Sequence, residues 1–172
     1  MAACSFKTVV MAVSVLVGVA LAGSAPGWAT GAPALSRSMV SSDKAAIRST
    51  LAAYNRALNG GETAAVLPLY TEDGVFMPPY SQSAVGREAV EEAYDKVFRE
   101  LKFHVKFVVA ELVVMGPRWA YVRTNSAGTT LHHSTDKTTA EANQELFIFE
   151  KGEDGKWRIA RYSFSPTNPP AA

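Results

Sequence analysis

From Ile47 to Leu101 the apolar residues of this chain recur mostly every three or four positions, and from Phe103 onward every two. That change of period places helices in one stretch and strands in another. Side chains share a helix face at spacings of three and four, but a strand face at spacings of two. Ile47, Leu51, Tyr54 and Leu58 make one helical stripe after Ser42, a residue type that caps helices, and Asn59-Gly60-Gly61 ends it. Glu62 to Tyr70 reads as a second, short helix that Pro68 kinks by removing a hydrogen bond. A short strand, Gly74-Val75-Phe76-Met77, closes at Pro78-Pro79. A third helix follows Gly86, with Val90, Tyr94, Val97, Phe98 and Leu101 as its apolar face.

Phe103, Val105, Phe107 and Val109 then alternate with polar residues, but Glu111 falls on the apolar phase while Leu112 and Val114 leave it. A bulge near Ala110 accounts for the slip. Gly116-Pro117 turns the chain into a strand over Trp119–Thr130, the polar stretch Leu131–Ala140 leads to a strand over Glu141–Lys151, and Gly152–Gly155 turns into a last strand over Lys156–Ser165. Helices followed by a strand meander predict an α+β fold, a curved antiparallel sheet with the helices packed on one face. A long sheet bending around helices encloses a pocket, and function is expected there.

The N-terminus reads as an address. Lys7 is the one charged residue before Arg37, and Val9–Ala22 is a run of 14 residues, apolar apart from Ser14 and Gly18. A basic start, a short apolar core and small residues predict an export signal over 1–29, cleaved after Ala22 or Ala29, and a secreted or periplasmic protein. The competing reading is an uncleaved anchor, for which the run falls short of the ~18 residues a bilayer span needs. Residues 30–41 read as a flexible lead-in, 42–165 as one domain and 166–172, with its prolines, as a disordered tail. Cleavage would remove the sole cysteine, Cys4, and leave 16 basic against 16 acidic residues. A neutral domain lacks the basic field that nucleic acid or an anionic membrane requires. No glycine-rich phosphate loop or nucleotide fingerprint occurs, so no cofactor is expected. His132-His133 with Asp136 invites a metal, yet adjacent strand residues point to opposite faces and no convincing third ligand stands nearby, so no metal is expected either.

Several stretches resemble the nuclear transport factor 2-like superfamily, and within it the SnoaL-like and ketosteroid-isomerase-like proteins. They are Tyr54-Asn55-Arg56-Ala57-Leu58-Asn59-Gly60-Gly61, Leu69-Tyr70-Thr71-Glu72-Asp73-Gly74-Val75-Phe76, Gly86-Arg87-Glu88-Ala89-Val90 and the closing Asp154-Gly155-Lys156-Trp157-Arg158-Ile159-Ala160-Arg161-Tyr162. The resemblance implies a cone-shaped sheet with three N-terminal helices on its concave face, a small-molecule ligand and a homodimer formed through the outer sheet face. For the steroid isomerases it implies a tyrosine donor to a developing enolate at Tyr54 and a protonated acid near Glu145. Their general base, an aspartate just after the first strand, has no counterpart in Phe76-Met77-Pro78-Pro79. Without a base no proton is removed, whatever stabilises the oxyanion. The epoxide hydrolases of this fold use two acids and an arginine. Arg123 and Glu145 are candidates for one of each, and the second acid is left unassigned.

The residues themselves leave alternatives. Tyr54 is either a pocket donor or a core tyrosine bonded to backbone. Arg123 and Asn125 share one strand face, and Arg123 either enters a pocket or pairs with Glu145 across the sheet. Asn143 and Glu145 share a face with Phe147 and Phe149, the layout of a ligand pocket or of a core with a wet end. Arg161 carries the same ambiguity, Phe76 and Trp157 are candidate walls, and Asp73 suits a turn before Gly74. Two readings follow. One is a pocket protein for a small apolar or aromatic metabolite, of isomerase, cyclase or hydrolase type, with Tyr54, Arg123 and Glu145 as polar anchors. The other is a non-catalytic binding or dimeric interaction module. Convergence of those three residues in one cavity favours the first, and their separation the second.

Overall fold

The computed structural model describes residues 36–168, so the export signal over 1–29 and the end of the tail lie outside the described residues. Helix α1 (Arg37–Gly60) starts at Ser36, whose Oγ accepts from the Met39 amide at 3.3 Å, not at Ser42. Residues 37–41 are therefore helical rather than a loose lead-in. The early start has a cause in packing, because Asp43 belongs to the buried face with Ile47, Leu51, Tyr54, Ala57 and Leu58. Gly61 ends the helix with φ 73°, left-handed, and its amide reaches the carbonyls of Ala57 and Leu58. The second helix is shorter than its pattern suggests. α2 (Thr63–Val66) gives way at Pro68 to a 3-10 turn over Leu67–Leu69, and Tyr70 already opens strand β1 (Tyr70–Met77).

A two-residue strand that the sequence did not announce, β2 (Ala84–Val85), pairs with β1 ahead of α3 (Arg87–Glu100). The meander follows as β3 (Leu101–Val114), β4 (Trp119–His132), β5 (Lys137–Lys151) and β6 (Trp157–Pro166). The phase slip is a bulge, with Val109 opposite Thr124 and Glu111 opposite Arg123, leaving Ala110 extra. The six-stranded sheet runs β2-β1-β6-β5-β4-β3 and is mixed rather than antiparallel, because β1 lies parallel to β6. Period and turn signals describe neighbours along the chain, and this pair is separated by α3 and the whole meander. The tail likewise begins as structure. Pro166 is the last residue of β6, where a missing N–H costs little, and Thr167 donates to the Ala142 carbonyl at 2.9 Å.

The sheet curves without closing, and α1 and α3 cover its concave side. An aromatic cluster fills the space between. Phe147 and Tyr162 stack at 4.2 Å between centroids and 4° between planes, and Tyr54 meets both rings edge-on. At one end Asp43 Oδ1 takes hydrogen bonds from Lys151 Nζ at 2.7 Å and Trp157 Nε1 at 2.9 Å, tying the start of α1 to β5 and β6. No described helix is long and apolar enough to cross a membrane.

Candidate functional site

Between α1, α3 and the sheet lies a cavity of about 80 Å³, and it is mostly apolar. Leu58, Phe76, Val97, Phe103, Phe107 and Phe164 contribute to its apolar lining. Pockets for drug-sized ligands run to roughly 300–1,000 Å³. A water needs only about 10–15 Å³ of such space, so this cavity suits a small molecule.

Two polar features border it. From the helices comes a relay of tyrosine hydroxyls. Tyr54 Oη lies 2.7 Å from Tyr94 Oη, and Tyr94 Oη lies 2.9 Å from Tyr70 Oη. All three rings are buried, and burial is the main cause that raises each phenol above its ordinary range. Three hydroxyls joined by two bonds leave one proton free, on Tyr54, Tyr94 or Tyr70. Tyr54 and Tyr94 line the cavity, so a proton free on Tyr54 stands at its wall.

From the sheet comes a polar ladder built by the period of β5. Glu141, Asn143 and Glu145 share one face and meet Thr130, Ser126 and Thr124 of β4. Glu145 is 5% exposed, accepts from Thr124 Oγ1 at 2.5 Å and accepts a second short bond from the Ser126 hydroxyl. Burial raises its carboxyl above the usual range, partly offset by those hydrogen bonds, and Glu141 adds to the rise. Asn143 donates to Glu141 Oε1 at 2.8 Å and to Ser126 Oγ at 3.4 Å, while its own Oδ1 has no partner. Ser126, Glu141 and Asn143 line the cavity, with Glu145 behind Ser126.

The sequence-derived candidates divide by face. Tyr54, Phe76 and Asn143 line the cavity, and Phe147 and Glu145 are buried on the same concave side. Trp157 is buried at the far end on Asp43. Arg123 and Asn125 are exposed on the opposite face, and Arg161 is turned towards Asp73. The expected Arg123–Glu145 pairing does not form. Thr124 stands opposite Glu145, Arg123 stands opposite Leu146, and the guanidinium bonds Glu111 Oε2 at 3.4 Å. The three anchors therefore do not converge. Tyr94, Tyr70, Ser126 and Glu141 were missed as site residues. Glu141 is in phase with Asn143 and Glu145 by period two, which is the signal that points to it, and Tyr94 stands in an apolar helix stripe where its hydroxyl is the one available signal.

A curved mixed sheet closed over by helices, with the cavity on its concave side, defines a class of α+β pocket folds. Residues 51–160 match the SnoaL-like domain model, and the chain belongs to that family. It is similar to a ketosteroid isomerase-like protein from Erwinia carotovora atroseptica at 37% identity, covering 73% of this chain and 96% of the other with a TM-score of 0.70. A nuclear transport factor 2-like superfamily protein from Salmonella enterica shares the fold at 14% identity and TM-score 0.67, covering 76% of this chain and 95% of that one. No curated protein matches the chain.

Proposed function

We propose that the domain binds one small, largely apolar molecule in the concave-side cavity, and that it binds without enolising its ligand. The observation that carries this reading is the cavity's make-up: an apolar, aromatic body with one polar wall, the arrangement that encloses a small ligand and fixes its orientation. The SnoaL-like family membership supports a small-molecule ligand. Two features favour binding over isomerisation. Phe76-Met77-Pro78-Pro79 holds no base where the steroid isomerases keep theirs, and Arg123 stands outside the cavity. Titrating 15N-labelled domain with small neutral alcohols tests the reading by NMR. Shifts should concentrate on Tyr54, Val97, Ser126 and Asn143, and shifts confined to the outer sheet face would contradict it.

Export by residues 1–29 and dimerisation belong to the same proposal. On the outer face Leu146, 44% exposed, stands opposite Arg123, and Val108, 58% exposed, lies on the strand that carries Glu111. An apolar patch around a self-complementary ion pair suits a second copy of this chain. Leu146→Asp should convert a dimer to a monomer in light scattering; a wild-type monomer at high concentration would remove the dimer from the account.

A further inference from the structure

The polar wall of the cavity is unbalanced. Its donors are already engaged: the Ser126 hydroxyl on Glu145, the Thr130 hydroxyl on Glu141 at 3.0 Å, and the Asn143 amide nitrogen on Glu141 and Ser126. Its acceptors are not. Asn143, 8% exposed, has an unpartnered Oδ1. Each oxygen of the Glu141 carboxylate receives one hydrogen bond, and an ionised carboxylate offers about four acceptor sites. Among the described residues no Lys, Arg or His forms an ion pair with Glu141 or Glu145, whereas the acids that do pair include Asp43, Glu111 and Asp154. Phe103, Phe107 and Phe164 line the same cavity and supply its apolar body.

Resting on the reading that this cavity holds a small molecule, we infer that its ligand is a small amine, bound as the ammonium ion with its N–H groups on Glu141 and its apolar part among the phenylalanines. An ammonium group has donors and no acceptor, which matches a wall with free acceptors and engaged donors. A carboxylate of the same size would meet Glu141 as a like charge and find no free donor on that wall. A neutral alcohol has one donor and no charge, and ranks between them.

Isothermal titration of n-butylamine, n-butanol and n-butyrate at neutral pH tests this with three probes of one length. The amine should bind at least about tenfold tighter than the alcohol, equivalent to about 1.4 kcal/mol, and butyrate should bind weakest. Glu141→Gln should abolish the preference for the amine, weakening butylamine far more than butanol, and Glu141→Asp should keep it. Equal binding of amine and alcohol, tighter binding of butyrate, or a preference that survives Glu141→Gln overturns the amine while leaving the cavity reading intact. Failure of all three probes overturns both.

Discussion

Asp43→Ala is expected to lower the unfolding free energy by about 3 kcal/mol, at the low end of the roughly 3–5 kcal/mol seen when one partner of a buried ion pair is removed. Asp43 is 5% exposed, and one of its oxygens holds both Lys151 and Trp157. Truncation strands the Trp157 N–H in the core and removes the tie between the first turns of α1 and two strands. The lower figure applies because the Lys151 side chain is 27% exposed and finds water in compensation. Asp43→Asn keeps an acceptor for Trp157 and loses the charge, so its cost should fall between wild type and alanine. Urea denaturation of the three proteins checks the order. Equal stability of Asp43→Ala and wild type would mean that the start of α1 contributes nothing to the fold.

Glu145 carries the second large expectation. Glu145→Ala leaves the Thr124 and Ser126 hydroxyls without their acceptor and opens a void, a cost on the order of 2–4 kcal/mol. Glu145→Gln should behave differently, because it fills the same volume, accepts from one hydroxyl through its amide oxygen, donates to the other through its amide nitrogen and needs no desolvated charge. The pH dependence follows from the direction of the shift. A carboxyl raised in the folded state holds its proton there at pH values where the unfolded chain has released it. Glu145 therefore contributes stability below the unfolded glutamate range, and that contribution declines as pH rises towards the folded value and then levels off. Denaturation midpoints across this window should fall more steeply in wild type than in Glu145→Gln. Parallel profiles would show that Glu145 titrates as though exposed.

The contrast between Glu145 and Arg123 shows where sequence reading stops. Parity within a strand was legible: Arg123 shares a face with Asn125, and Asn143 shares one with Glu145. Which face of β4 meets which face of β5 depends on hairpin register, and a slip of one residue exchanges the faces. The register pairs Thr124 with Glu145, and that sends Arg123 outward. The bulge at Ala110 was legible because Glu111 broke an alternation of apolar residues. The parallel β1–β6 pairing was not, since it joins strands separated by α3 and the meander. The cavity's polar wall lay between these cases. Glu141, Asn143 and Glu145 were in phase, but their partners on β4 became identifiable only once the strands were paired.

The central claim is that the concave-side cavity is a binding site, and filling it is the most direct test. Val97 on α3 lines the cavity and is half-buried, so Val97→Phe adds bulk there without removing a hydrogen bond. Titration calorimetry of n-butanol into wild type and Val97→Phe compares the two. One molecule bound per wild-type chain and none per folded Val97→Phe chain is the expected result; equal binding to both proteins would place the ligand elsewhere and contradict the account.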